Sequence, residues 1–354
     1  MWIIIMLISF ILFISGIFYV CRRMKLFGIK NKYIPYIIVC AFVLLLTLIF
    51  NFTTAAIILI HYLVIWVIMD TVCLLVSKVC KKNFKVYVAG LITIIFVPLY
   101  IGYGVYNVYD VKKTNYNIKT NKVKNKYRIA LISDSHMGTT FDSDGFNKYL
   151  KEIESYNPDM LLIAGDFVDD GTSKEEMIKS CEYLSKFKTK YGIFFAHGNH
   201  DKGYYGNKRG YSKSDLESEL IKNGVVVLQD ESVLINDEIY VLGRKDFEDT
   251  KRKSISDLVK DLNKNKFIID INHQPTDYTN EYKNNVDLVV SGHTHGGQFI
   301  PLNLISTYIS QNDKVYGYEK INNTNFIVTS GISDWEIMFK TGCISEYVII
   351  DINW

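Results

Sequence analysis

Five short polar motifs lie in the last two-thirds of this 354-residue chain. They read Asp134-Ser135-His136, Gly165-Asp166-Phe167-Val168-Asp169, Gly198-Asn199-His200-Asp201, His273-Gln274-Pro275 and Gly292-His293-Thr294-His295-Gly296-Gly297-Gln298. Among them Asp134, His136, Asp166, Asn199, His273, His293 and His295 offer carboxylate oxygen, imidazole nitrogen and amide oxygen. That donor mix suits Mn²⁺, Fe²⁺/³⁺ and Zn²⁺ better than Ca²⁺ or Cu⁺. It is large enough for two cations, and two adjacent cations sharing a water are suited to attack at phosphorus. The histidines are at 61, 136, 197, 200, 273, 293 and 295, so five of the seven fall inside the motifs instead of being scattered as core or surface residues.

Each motif closes an apolar run. Tyr127 to Ser133 ends at Asp134, Met160 to Ala164 at Gly165-Asp166, and Ile193 to Ala196 shortly before Asn199. Further strands are predicted over Val225 to Leu228, Tyr240 to Leu242, Phe267 to Ile271 and Val286 to Val290, the last two ending at His273 and His293. Between the early strands lie helical patterns: Phe146, Tyr149, Leu150 and Ile153, then Met177, Cys181, Leu184 and Phe187. Ser173 and Glu176 before the second helix have capping-box spacing. Strand-helix alternation predicts α/β layers, and in such sheets the loops beyond strand C-termini converge on one edge. Gly165, Gly198 and Gly292 are expected where the backbone turns sharply out of a strand.

From Tyr127 to the C-terminus, this motif set resembles the calcineurin-like metallophosphoesterases, and Gly292 to Gln298 resembles their membrane-associated bacterial branch. The resemblance implies a four-layer α-β-β-α sandwich of two mixed sheets. It implies one metal held by Asp134, His136, Asp166 and His295, and a second held by Asp166, Asn199, His273 and His293, with Asp166 and a hydroxide bridging. His200 would lie against the substrate as proton donor or transition-state stabiliser, with Asp169 as its partner. Asp201 is read as structural. One departure concerns the final segment, where the family often has Arg: Gly331 to Lys340 ends in a lysine, a point charge where Arg would give a bidentate fork.

The first hundred or so residues have a different character. Four stretches, Trp2 to Val20, Ile34 to Phe50, Ala55 to Val76 and Val86 to Tyr106, are near the roughly 20 residues a membrane helix needs. The first is read as a retained anchor and not as a cleaved leader. Arg22, Arg23, Lys25, Lys30 and Lys32 lie between spans one and two, and Lys78, Lys81, Lys82 and Lys85 between three and four, so both loops are expected to be cytoplasmic. An even number of spans then puts both chain ends, and the catalytic domain, outside. The expected organisation is a four-helix transmembrane anchor over 1–108, a linker over 109–126 and the phosphoesterase domain over 127–354. Net charge is +3, with 40 Lys+Arg and 37 Asp+Glu, too balanced for a nucleic-acid footprint. The six cysteines form neither a disulfide framework nor a thiolate metal site.

Several features bear on substrate choice. The loop Lys202 to Tyr211 carries Lys202, Tyr204, Tyr205, Lys208, Arg209 and Tyr211, able to bind a second phosphate or a sugar if it is not simply solvated. Phe299 to Ile305 is apolar and either packs internally or meets acyl chains. Asp70, inside a span, is expensive in lipid and is expected to serve helix packing. The expected activity is phosphoester hydrolysis by in-line attack of a metal-bridging hydroxide on a substrate that tethering would make lipid-linked. Two alternatives stand beside it: a nucleotide-sugar or lipid-linked pyrophosphatase, and a non-catalytic membrane sensor or transport component with a metal-binding domain.

Overall fold

The computed structural model describes residues 2–81, 84–204 and 206–353. Lys82 and Tyr205, named above, lie outside the described residues, as does Trp354. The chain forms two compact units, one of residues 1–106 with 336–339 and one of residues 107–335 with 340–354.

The first unit is built on α1 (Trp2–Met24), α2 (Ile34–Ile49), α3 (Phe52–Cys80) and most of α4 (Val88–Tyr109). Among the described residues three helical stretches are long and apolar enough to cross a membrane: Leu7–Phe27, Phe52–Cys80 and Val88–Tyr109. The expectation of four is corrected here. Helix α2 has only 16 residues, about 24 Å of helix against about 30 Å of hydrocarbon. Pro35 fixes its first turn, and the next helix begins directly after it, where the Asn51 side chain accepts from Thr54 N at 2.7 Å. Three such helices do not supply the even number on which the outside placement of both chain ends rested.

Asp70 is 8% exposed within α3. It accepts from the hydroxyls of Tyr19 at 2.5 Å and Tyr87 at 2.7 Å and pairs with Arg23 Nε at 2.7 Å. A carboxylate in an apolar bundle is tolerated when it is paired in this way, so Asp70 ties α3 to α1 and to Tyr87, the residue before α4.

The second unit holds two six-stranded mixed sheets. The first has β1 (Lys112–Lys119), β12 (Glu346–Asn353), β2 (Tyr127–Ile132), β3 (Met160–Ala164), β4 (Ile193–Ala196) and β5 (Val225–Leu228) in that spatial order. The second has β10 (Gly317–Ile321), β11 (Thr324–Val328), β9 (Leu288–Ser291), β8 (Phe267–Ile271), β7 (Ile239–Gly243) and β6 (Glu231–Ile235). Strands β2 to β5 are mutually parallel, as are β11, β9, β8 and β7.

Period-two alternation explains the layering. Ala130 and Ile132 of β2 face α5 (Ser143–Glu154), α6 (Lys174–Leu184) and α7 (Lys213–Lys222), packing with Phe146, Leu150, Cys181 and Leu216. Ile129 and Leu131 point the other way, into an inter-sheet core with Val241, Ile269, Val290 and Ile327. The outer face of the second sheet is covered by α8 (Ile255–Val259) and α9 (Tyr278–Lys283) through Ile255, Val259 and Tyr278. Strands covered on both faces read as continuous apolar runs, which is why β2, β3, β4 and β8 are plain in the sequence.

The segment expected to be a linker, 109–126, instead contains β1, paired along its whole length with β12 from Lys112↔Glu346 to Lys119↔Asn353. As an edge strand it satisfies its backbone on one side only. Of its residues Ile118 alone is buried, so its composition is that of a polar connector. The Ser173 cap is present, accepting from Glu176 N at 3.2 Å. The Glu176 carboxylate does not return to close a box but accepts from Ser143 N at 2.6 Å, tying α6 to α5.

Candidate dimetal centre

Strands β2, β3 and β4 of one sheet and β8 and β9 of the other deliver Asp134, Asp166, Asn199, His273 and His293 from their C-terminal ends. The turns are tight. Asp134, His136, Asp166, His293 and His295 all have φ between 37° and 70°, the left-handed region that disfavours side chains. Five of seven expected ligands in this region mark a site whose geometry the surrounding fold imposes. The glycines serve close approach more than handedness. A Cβ on Gly292 would collide with the Ser133 hydroxyl and the Asp134 carboxylate, and one on Gly165 (φ +76°) would lie 2.7 Å from His273 Nδ1.

The seven residues come together as two groups. Asp134, His136 and His295 bring one ligand atom each within 4.8 Å of one another, and so do Asp166, His273 and His293. Asp166 spans the two, with Oδ2 3.1 Å from His273 Nε2 and 3.8 Å from His136 Nε2. Asn199 Oδ1 lies 3.0 Å from His293 Nδ1. His295 Nε2 is 3.6 Å from Asp134 Oδ1. His273 Nδ1 is committed to the Ala164 carbonyl at 2.7 Å, which leaves Nε2 turned to Asp166. Among the described residues, both ring nitrogens of His136 and Nδ1 of His295 are buried without a hydrogen-bond partner. Buried polar atoms are normally satisfied, so converging unpaired nitrogens beside two carboxylates fit a pair of cations.

The electrostatics agree for Asp166, His293 and His295, while the Asp166 carboxylate outweighs burial at His273 and raises it to about 10. Burial opposes ionisation of Asp166, but His273, with His136 behind it, holds the carboxyl well below the usual carboxylate range. Burial pushes His293 down to about 4 and His295 well below its ordinary value, so both are lone-pair donors at neutral pH.

Asp201, read from sequence only as structural, has a definite task. Its Oδ2 accepts from Asp166 N at 2.9 Å and Gly198 N at 2.7 Å, and its Oδ1 from Phe167 N at 2.9 Å and Val168 N at 3.2 Å. One buried carboxylate therefore clamps the Asp166 turn to the Asn199 turn. Behind it Arg209, 6% exposed, donates to the carbonyls of Asp201 at 2.6 Å and His200 at 3.3 Å. Its place in the basic loop suggests a phosphate ligand, but the guanidinium is spent on the main chain.

His200 N donates to Asp166 Oδ1 at 2.8 Å, and the ring stands between Trp335 (centroids 4.8 Å apart) and Tyr204 (5.2 Å). Its expected partner Asp169 is elsewhere. The Asp169 carboxylate turns back to accept from Gly171 N at 2.6 Å and lies 3.7 Å from His136 Nδ1, so its imidazole neighbour is His136. Lys340 is fully buried, donating to the carbonyls of Ser330 and Ser333 at 2.8 Å each; it fastens a loop and does not reach toward a substrate.

Three residues had no assigned part. Trp335 flanks His200. Tyr204 Oη accepts from Asn199 Nδ2 at 2.9 Å. Gln274 Nε2 donates to Asp246 at 2.6 Å while approaching Asn199 Oδ1 at 3.4 Å. Gln274 lay inside a motif and Tyr204 inside the flagged loop; no local pattern distinguished Trp335.

Comparison with known proteins agrees with this geometry. The family model "Calcineurin-like phosphoesterase" matches residues 127–297. An uncharacterised metallophosphoesterase of Aquifex aeolicus is 30% identical over 211 residues, 57% of this chain and 77% of that protein. One from Campylobacter jejuni is 28% identical over 250 residues, 69% of this chain and 63% of that protein. A Danio rerio transmembrane protein with metallophosphoesterase domain is 28% identical over 240 residues, 63% of this chain and 52% of that protein. The chain thus spans less than two-thirds of the Campylobacter and zebrafish relatives.

Proposed function

The chain belongs to the calcineurin-like metallophosphoesterases, and on that premise we propose that it is a membrane-associated hydrolase of phosphoester bonds. The observation that carries this reading is the convergence of the Asp134–His136–His295 and Asp166–His273–His293 groups about a shared carboxylate, with the His200 ring beside them. When bound, a pair of cations supplies Lewis acidity and an acidified water. The protein's own residues do the rest. Asp134, His136, Asp166 and His295 would hold one ion, and Asp166, Asn199, His273 and His293 the other. Manganese, iron and zinc all suit these donors.

Among the described residues no carboxylate hydrogen-bonds the His200 imidazole, which is held by its main-chain bond to Asp166 and by aromatic neighbours. It can orient a phosphoryl oxygen and hold a proton toward the leaving oxygen. Burial lowers its pKa, so at neutral pH the ring is chiefly neutral and offers a neutral N–H to the phosphoryl and leaving oxygens. Trp335, 38% exposed, and Tyr204, 44% exposed, present aromatic surface to the group on the far side of the ester.

Hydrolysis of bis(4-nitrophenyl) phosphate by the full chain with added Mn²⁺ tests the reading. Metal-dependent turnover that His200→Ala lowers about 100-fold or more is expected. No turnover with Mn²⁺, Fe²⁺ or Zn²⁺ would favour the non-catalytic sensor or transport reading.

A further inference from the structure

The apolar run after Gln298 is not core. It forms α10 (Leu302–Ile309), which has no buried residue. Leu304 is 65% exposed, Ile305 43% and Tyr308 85%, and Ile300 just before the helix is 45% exposed. From Phe299 to Gln311 there is no charged residue. Soluble surfaces seldom leave so apolar a face uncovered without a partner.

Two features tie this face to the metal centre. Helix α10 is seated on the loop that carries His293 and His295: a Cβ on Gly297 would collide with the Asn303 backbone, and Asn303 Nδ2 donates to the Gly342 carbonyl at 3.3 Å. The chain also comes into this domain from α4 at the metal edge of the sheet. Ser345 N donates to the Asn107 carbonyl at 3.0 Å, Lys112 N to the Ser345 carbonyl at 2.9 Å, and Glu346 N to the Gly331 carbonyl at 2.9 Å. Gly331 in turn packs on Asp134, where an added Cβ would be 2.8 Å from the Asp134 Cβ. The domain is therefore joined to a helix long and apolar enough to cross a membrane at the edge that bears the metal ligands.

We propose that α10, with Ile300, docks into the headgroup–acyl boundary of a lipid bilayer, so that the adjoining metal centre receives its substrate as a phosphate-bearing amphiphile at the membrane surface. An apolar helix face with a tyrosine at its rim is the composition of an interfacial element. The occupant is lipid and not a second protein, because the chain enters the domain at this edge directly from α4, whose sequence is long and apolar enough to cross a membrane. The docking stands on α10 and the attachment point; the substrate class rests in addition on the phosphoesterase reading.

The test uses the full chain in phosphatidylcholine nanodiscs, with p-benzoylphenylalanine replacing Leu304, Tyr308 or, as control, Ile221. Ile221 is also an exposed apolar residue, 61% exposed, but lies on α7. After irradiation, a one-lipid mass adduct at 304 and 308 at least about fivefold above that at 221 is expected. Adduct levels equal to the control, or a crosslink to a second copy of the chain, would overturn the docking.

A matched pair of chromogenic probes then reads the substrate class. The double variant Leu304→Ser with Tyr308→Ser should leave hydrolysis of soluble bis(4-nitrophenyl) phosphate within about twofold while lowering that of nanodisc-embedded hexadecyl 4-nitrophenyl phosphate about tenfold or more. Equal losses on both probes would refute the amphiphile assignment. Lipid adducts with neither probe cleaved by the unmodified chain would leave the docking standing and sink the hydrolytic reading alone.

Discussion

Asp201→Asn isolates the clamp beneath the metal site. The carboxylate accepts four main-chain N–H bonds, two at each oxygen. Its side chain is fully buried, so water cannot stand in for a lost partner. An asparagine keeps one oxygen and turns an NH₂ group toward the other pair of donors, whichever way the amide is placed. Two bonds to a charged group are lost, each contributing about 1.5–3 kcal/mol, so the loss is about 3–6 kcal/mol. That is a large part of the roughly 5–15 kcal/mol by which a domain is usually stable. The clamp also fixes Asp166 relative to Asn199, so metal retention should fall with stability. Chemical unfolding of the full chain in detergent, with metal content measured on the same preparation, checks both. A variant within about 0.5 kcal/mol of the parent that keeps its full metal complement would refute the assignment.

Other perturbations have equally definite outcomes. Arg244 is 4% exposed and pairs with Glu281 at 2.7 Å and Asp277 at 3.1 Å; Arg244→Met should destabilise by about 3–5 kcal/mol, measured by denaturant midpoint, by taking the guanidinium away from this buried acidic cluster. Tyr204→Phe removes the acceptor for Asn199 Nδ2 and should weaken metal binding about tenfold, measured by metal titration. Burial raises the Asp334 carboxyl to about 6 from an ordinary 3.8. The folded state therefore holds this proton more tightly than the unfolded state, a stabilisation complete below about pH 4 and lost as pH rises through 6. The stability of the metal-free parent relative to Asp334→Asn should fall by about 3 kcal/mol between about pH 3 and 7; a pH-independent difference would contradict the burial argument.

The ligand set was legible because covered parallel strands write themselves as apolar runs, and each run ended on a ligand. Tyr127 to Ile132 running into Asp134 is the clearest case. Strands with one open side were not: β1 presents Lys112, Lys113 and Lys119 to solvent and looks like a tether until β12 pairs with it. Strand β12 is apolar and central, yet no motif follows it, so nothing drew attention to it. Side-chain direction was least legible. Asp169 sits where a partner of His200 was expected, but the turn at Gly171 swings its carboxylate toward His136. Arg209 and Lys340 look like phosphate ligands in a sequence, and only their hydrogen bonds show that both are spent on backbone carbonyls. The second span failed on length, because α2 ends where Asn51 caps its successor.

The central claim is that Asp166 joins two ions in one site. Elemental analysis of the purified full chain against Asp166→Asn tests it most directly. About two transition-metal ions per parent chain are expected, with one or none in a folded variant that has lost turnover. A parent with no bound metal whose activity survives chelators, or a variant with its metal and full activity, would contradict it.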